Sequence, residues 1–145
     1  MEIYKAMIPL EPKTKKNHQV IKFRKQGTNG FYKRTSTRFL YMGIPFVSQS
    51  DQYKQYENDA GWFLKKPEKP IDCPVNVKCI FYRKTARRVD LTNLLEAIDD
   101  VLVKFGILAD DNFNIITGHD GSRVRIDREK PRTEIIIETD DDARV

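Results

Sequence analysis

The sequence predicts an α+β chain folded as one compact domain, on three observations. Five stretches follow the two-residue period of strands and two follow the three-and-four spacing of helices, and the last three strands come in succession with no helix between them. A length of 145 residues fits a single domain, since domains commonly span about 100–200 residues. A hydrophobic content of 39% can fill one core, and 32% charge with no long apolar run excludes a membrane-spanning segment. The expected domain covers residues 1–139, and residues 140–145 form an acidic, mobile tail.

The elements follow in order. Residues 2–8 read as a strand, stopped by Pro9 and Pro12, which cannot donate to a sheet ladder. A basic loop comes next, with Gly27, Asn29 and Gly30 in a turn and residues 20–24 and 31–34 as the arms of a short hairpin. Ser48 or Ser50 caps a helix running to Leu64 whose buried face carries Tyr53, Tyr56, Ala60 and Phe63. The stretch KKPEKP, residues 65–70, breaks it. In residues 75–82, Val75, Val77, Cys79 and Phe81 alternate with Asn76 and Lys78, while Ile80 and Tyr82 make the second face partly apolar, which predicts a central strand. Cys79 is therefore a reduced thiol in the core. Cys73, Cys79, His18 and His119 are too few and too scattered for a zinc cluster. A second helix starts near Leu91 and stops at Gly106, with Leu91, Leu94, Leu95, Ile98, Leu102 and Phe105 as its apolar stripe. Gly106 takes the left-handed conformation there, and Ile107 packs back towards Leu102. NFNIITG, RVRI and TEIIIE follow as a three-strand meander joined by the turns HDGS and DREKPR. Asp120 and Arg123 read as turn and strand residues, with an acid that completes a second metal shell as the alternative for Asp120, and His119 reads as a turn residue, with proton transfer as its lesser alternative.

Charge is divided along the chain. Up to Arg88, 19 basic residues stand against 7 acidic ones; from Val89 onward, 7 stand against 14. Between Lys13 and Arg38 nine basic residues occur with no acid, interleaved with Phe23, Phe31 and Tyr32. Such a run can track a polyanionic backbone and offer rings to bases, with a solvated face as the equal alternative. Acid gathers directly behind the basic half, six carboxylates between Asp90 and Asp111. Asp90 is placed to cap the second helix. Asp90, Asn93, Glu96 or Ala97, and Asp100 recur about one turn apart on one helix edge. Like charges at that spacing cost a few tenths of a kcal/mol per pair unless a cation lies among them. Asp110 and Asp111 sit in a turn whose place beside the helix the spacing leaves open. Magnesium takes oxygen ligands and keeps several waters, so two or three carboxylates suffice, and such ions activate water in phosphodiester hydrolysis. An acidic helix face with a polar turn describes the same residue types equally well. A calcium loop beginning at Asp110 does not fit, because Ile115 and Gly121 stand where glycine and glutamate are required. The N-terminus lacks a basic flank, an apolar region and a cleavage site, which places the chain in the cytoplasm.

The run Arg88, Asp90, Asn93, Asp100-Val101-Leu102, Gly106 and Asp110-Asp111 resembles the signature of RusA-type Holliday junction resolvases. In that family R-x-D-x-D-N-x-x-K, a helix, a glycine and a D-D pair bring magnesium-binding aspartates together. The Asp90 to Asp111 spacing matches without a gap, and the opening strand, prolines and Asn17 resemble the family's start. Two positions depart from it. Thr92 stands at the second aspartate and Glu96 at the lysine. Either Glu96 supplies the displaced carboxylate from the next helical turn, the favoured reading, or the site is weakened or inactive. Arg87, Arg88 or Lys104 would stand in for the lost cation. The resemblance implies two helices packed against a mixed sheet. It also implies a homodimeric, Mg²⁺-dependent endonuclease, active with Mn²⁺ as well, that nicks paired strands of a four-way DNA junction in recombination and repair. It implies no organic cofactor and an origin in a phage or prophage. Asp90, Glu96 and Asp111 are the implied catalytic metal ligands, with Asp110 and Asp100 next, and Asn93 orients a ligand or a water. DNA contact falls to Lys13, Lys15, Lys16, Asn17, Lys22, Arg24, Lys25, Lys33, Arg34, Arg38, Arg83, Lys84, Arg87 and Arg88. A nuclease preferring flaps or other branched DNA, and a catalytically silent branched-DNA binder, are the competing readings.

Overall fold

The computed structural model describes residues 1–15, 19–24, 31–34 and 39–143, with side chains for 1–15, 21–23 and 50–143. The element order is β1 (Glu2–Ile8), β2 (Gln19–Arg24), β3 (Phe31–Arg34), β4 (Phe39–Gln49), α1 (Asp51–Gly61), β5 (Val75–Arg83), α2 (Leu91–Lys104), β6 (Ile116–Gly118), β7 (Arg123–Ile126) and β8 (Arg132–Thr139). One five-stranded sheet runs β1-β8-β5-β6, with β7 also on β5. β8 lies antiparallel between β1 and β5, whereas β6 and β7 both pair parallel with β5. The sheet is mixed, and the fold is α+β with two helices, as expected.

The expected meander does not form. A parallel neighbour needs a crossover, and α2 is the crossover that returns the chain from β5 to β6. β6 and β7 then occupy successive stretches of one β5 edge, Val75–Asn76 and Ile80–Arg83. The expected hairpin is also absent. Both arms pair with β4 in a separate three-stranded sheet, β2-β4-β3. Gly43 and Pro45 lie inside β4, and such residues weaken the strand signal in a sequence.

β5 is central, and its inward side chains Val75, Val77, Cys79 and Phe81 are at most 1% exposed. They meet Ile8, Ile135 and Ile137 from the sheet and Leu94, Leu95, Ile98, Val101 and Leu102 from α2. Leu91 and Phe105, expected in the stripe, are only partly buried against this cluster. Gly106 has φ +76°, and the Ile107 and Leu108 amides both donate to the Leu102 carbonyl, at 2.9 and 3.2 Å. That is the closing geometry expected of a helix ended by glycine.

Ser50 caps α1, its hydroxyl accepting from the Tyr53 amide at 3.2 Å. Tyr53 and Tyr56 bury against Ala97 of α2. α1 stops at Gly61, three residues before the expected end, and Phe63 is 44% exposed instead of buried. A Cβ at Gly61 would run into the Phe105 ring, so a side chain there requires that ring to move. Asp140 ties the chain end to the sheet through its amide to the Pro74 carbonyl and its carboxylate to Thr117. Among the described residues no helix is long and apolar enough to cross a membrane.

Candidate functional site

Three pieces of the fold build one acidic pocket. The first is the α2 face carrying Thr92, Leu95, Glu96 and Asp99, which recur at three- and four-residue steps and so lie one above another. The second is the loop between α2 and β6. The Ile71 amide donates to Ile107 and the Ala109 amide to Ile71, which pins the start of that loop beside the core. Asp110 then folds the loop on itself, one oxygen accepting from the Asp111 amide at 2.7 Å and the other from Asn112 Nδ2 at 2.9 Å. The third is the turn after β6. Asn76 exchanges two hydrogen bonds with the Asp120 backbone, and Ser122 Oγ accepts from the Cys79 amide. These bonds hold the turn, including His119, against β5.

The pocket has a volume of ≈ 230 Å³ and is lined by Thr92, Leu95, Glu96, Asp99, Asp111 and His119. His119 bridges it to the sheet, with Nδ1 2.9 Å from the Val77 carbonyl oxygen and Nε2 3.0 Å from Asp99 Oδ2. A carbonyl only accepts, so Nδ1 carries a hydrogen. Nε2 and Oδ2 can then approach to 3.0 Å only with a proton between them. The other Asp99 oxygen, Oδ1, is buried with no hydrogen-bond partner. Burial pushes the Asp99 carboxyl above the usual carboxylate range, His119 opposes this, and the charges of Asp111 and Glu96 add to it. Burial lowers His119, but the Asp99 hydrogen bond and charge, helped by the Val77 carbonyl, leave it above its ordinary value. Burial first, and the neighbouring charges of Asp111 and Glu96 after it, favour a proton on the Asp99 carboxyl, while Asp99 and Val77 favour one on His119.

The expected site residues separate into groups. Glu96 and Asp111 meet in this pocket. Asp90 does not line it; with Arg88, Val89 and Asn93 it lines a neighbouring one. Asp90 occupies the N-cap position of α2, yet its side chain makes no cap bond. Its carboxylate accepts from Asn93 Nδ2 at 3.4 Å, so capping does not explain its presence. Asp100 faces elsewhere, in a salt bridge with Lys15. Asp110 is spent on its own turn, whose amides hold its carboxyl below the usual range. The expected helix edge was therefore displaced by one position. Ala97 is buried against α1, which turns the side of α2 bearing Asp100 and Lys104 towards Lys15 and Glu57 and brings Thr92, Glu96 and Asp99 to the pocket.

Asp99 and His119 were not among the expected site residues. The spacing 92, 96, 99 was available to reveal Asp99, but nothing local to His119 shows what it touches. Of the expected DNA contacts, Lys15 is paired with Asp100 and Lys22 lies 3.5 Å from Asp51. Lys13 lies beside α1, in a pocket with Glu11 and Tyr56. Lys84 is exposed, its amide donating to Glu11. Arg83, Arg87 and Arg88 gather at the start of α2. The side chains of Lys16, Asn17, Arg24, Lys25, Lys33, Arg34 and Arg38 lie outside the described residues.

The chemistry of Glu96, Asp99 and Asp111 suits a hard divalent cation, since all are oxygen donors and Asp99 Oδ1 is buried without a partner. As the side chains stand, no group of three or more His, Cys, Asp or Glu among the described residues is close enough to hold an ion. One ion cannot draw on both ends of the acidic run. Asp90 and Asp99 are nine residues apart, about 13 Å along a helix axis, too far for two short side chains to clasp an ion at about 2.1 Å.

Carboxylates and arginines thus lie along one stretch of α2 and the strand ends before it, an arrangement that suits a polyanion and its counter-ion. The model of the family Endodeoxyribonuclease RusA matches residues 9–138. The chain belongs to the RusA endodeoxyribonuclease family. No curated protein matches it.

Proposed function

We propose that the chain is a Mg²⁺-dependent, structure-selective endodeoxyribonuclease that resolves four-way DNA junctions by paired nicks, in recombination and repair. The observation that carries this reading is the meeting of Glu96, Asp99 and Asp111 in one pocket of a chain matched by the RusA family. A divalent cation bound there, Mg²⁺ or Mn²⁺, neutralises phosphate charge and activates water. Glu96, Asp99 and Asp111 hold it. His119 orients Asp99, as the hydrogen-bonded neighbours of ligating side chains do. Asn93 steadies the Asp90 carboxylate at the adjoining pocket. Two nicks in opposed strands call for two such sites, so the active form is a homodimer.

The test is incubation of the full chain with a synthetic four-way junction and Mg²⁺. Wild type gives paired nicks, while Asp111→Asn and Asp99→Asn bind the junction and do not cut it. Unimpaired cutting by both variants would sink the assignment of the pocket. A catalytically silent branched-DNA binder is the second reading, favoured by Thr92 at the family's aspartate and by the absence, among the described residues, of a three-ligand group. It predicts salt-sensitive junction binding with no cleavage in Mg²⁺ or Mn²⁺. Flapped and other branched substrates in the same gel establish which structure is preferred.

A further inference from the structure

The pocket at the start of α2, ≈ 310 Å³, is lined by four arginines, Arg83, Arg87, Arg88 and Arg125, and by no acidic residue. Its framework is hydrogen-bonded. Parallel pairing of Tyr82 with Arg125 and Arg83 with Ile126 places Arg83 and Arg125 at the same end of β5 and β7. The Asp127 amide donates to the Arg83 carbonyl at 2.9 Å, and Arg83 Nη1 donates to the Arg87 carbonyl, folding residues 84–90 over the strand ends. Arg83 Nε is buried and has no hydrogen-bond partner. Among the described residues none of the four guanidinium groups forms a salt bridge, and the nearby Asp127 carboxylate is taken by Arg132. Arg125 leaves the sheet on the Tyr82 face, opposite Arg83, and its Nη1 donates to the Val124 carbonyl at 3.1 Å, so its guanidinium stays at the strand end beside the pocket. Like charges gathered at one end of the sheet repel, and an anion among them relieves that cost. A forked guanidinium suits phosphate oxygens in particular.

The pocket also has a direction. Arg88 and Val89 line both it and the next cavity, where Asp90 and Asn93 sit, and α2 continues from there to Glu96 and Asp99. A strand lying along the first turns of α2 meets cations first and carboxylates after. We propose that Arg83, Arg87, Arg88 and Arg125 form a phosphate-binding subsite that captures one phosphate of the nucleic-acid strand whose reacting linkage enters the carboxylate pocket further along α2, and so sets which linkage is presented. Arg125, on a strand distant in sequence from the basic loop, completes it. The register role rests on the nuclease reading above, whereas phosphate capture does not.

The experiment is anisotropy of a labelled four-way junction with the full chain in EDTA, where nothing is cut, using junctions with single neutral methylphosphonate linkages around the branch. Arg125→Gln is compared with Arg128→Gln, an exposed arginine outside the pocket, and equal melting temperatures establish that both fold. The expected result is one linkage whose neutralisation weakens wild type about tenfold, the scale of a lost hydrogen bond to a charged group. Arg125→Gln weakens binding of the unmodified junction by a similar factor and loses nothing further at that linkage, while Arg128→Gln behaves as wild type. A nicked duplex with and without a 5′-phosphate forms a second arm. If the Arg125-dependent loss follows the 5′-phosphate, the subsite takes a strand end instead of an internal linkage. Losses that multiply at every linkage and ignore the 5′-phosphate, or wild-type affinity in Arg125→Gln, overturn the proposal. A chain that never cleaves yet shows the linkage effect overturns only the nuclease reading. Cleavage without the linkage effect overturns only the subsite.

Discussion

Asp99→Asn separates cation binding from fold maintenance. The substitution keeps the size of the side chain and removes its charge. Because His119 Nδ1 donates to Val77, the neutral ring presents a lone pair at Nε2, and an asparagine amide can donate to it. The variant also relieves the burial and the repulsion from Asp111 and Glu96 that disfavour an ionised Asp99, so without metal it should melt no lower than wild type. Metal reverses the order. At a free Mn²⁺ concentration about 100 times the dissociation constant, binding stabilises the native state by about 2.7 kcal/mol. For 145 residues, an unfolding entropy of about 2.1 cal/mol/K per residue makes this a rise of roughly 9 °C. An affinity weakened about 10–100-fold, the range for disturbed metal sites, leaves between roughly 1 and 5 °C at the same concentration. Thermal melts of wild type, Asp99→Asn and Asp100→Asn, each with EDTA and with Mn²⁺, measure the three shifts. Asp100→Asn should keep the full shift, since Asp100 is engaged with Lys15. A full shift in Asp99→Asn would show that Asp99 does not touch the ion, and the pocket would lose its most buried donor.

Leu102, fully buried between α2 and the sheet, predicts a loss of about 2–5 kcal/mol in Leu102→Ala, read as a lower urea midpoint at unchanged slope. Gly61→Ala should destabilise by about 1–3 kcal/mol despite the better helix propensity of alanine, because its methyl would meet the Phe105 ring. Combining it with Phe105→Leu should recover part of that loss in the same melts. The Lys130 amide, then Arg132, hold the Asp127 carboxyl below its usual range. A depressed folded-state value gives stability that is present above the unfolded value of about 3.9 and is lost as pH falls through the folded value. Wild type and Asp127→Asn should therefore differ in melting temperature at pH 7 and converge below about pH 4.

Periodic features of the fold were legible in the sequence. The alternation of Val75, Val77, Cys79 and Phe81 and the α2 positions Leu94, Leu95, Ile98 and Leu102 mark the faces that meet in the core, because burial on one face imposes the period of the element. Pairing was not legible, since β6 and β7 bond to β5 across a crossover that leaves no local trace. In the candidate pocket, Asp111 came with the motif, whereas Glu96, where the motif has a lysine, came from the helical spacing to Thr92. Asp99 came from neither, because helix phase is decided at Ala97, a residue small enough to be read as either buried or exposed. His119 needed the tertiary structure outright: its two partners, Val77 and Asp99, are 42 and 20 residues away.

The two departures from the family pattern act together on charge. An aspartate and a lysine at positions 92 and 96 would cancel, whereas Thr92 and Glu96 leave the same helical turn with one net negative charge. Glu96 therefore keeps the number of carboxylates while moving one of them a turn along α2, about 6 Å, to the stretch that also holds Asp99. The pocket becomes a stronger trap for a cation and, without one, a poorer receptor for a phosphate. On the function proposed above, a divalent ion held there would offset that charge before a strand enters, and attraction for the strand would come from outside the pocket. The four arginines at the start of α2 are placed to supply it. In that proposal acid and base lie next to each other because each would perform the step the other opposes.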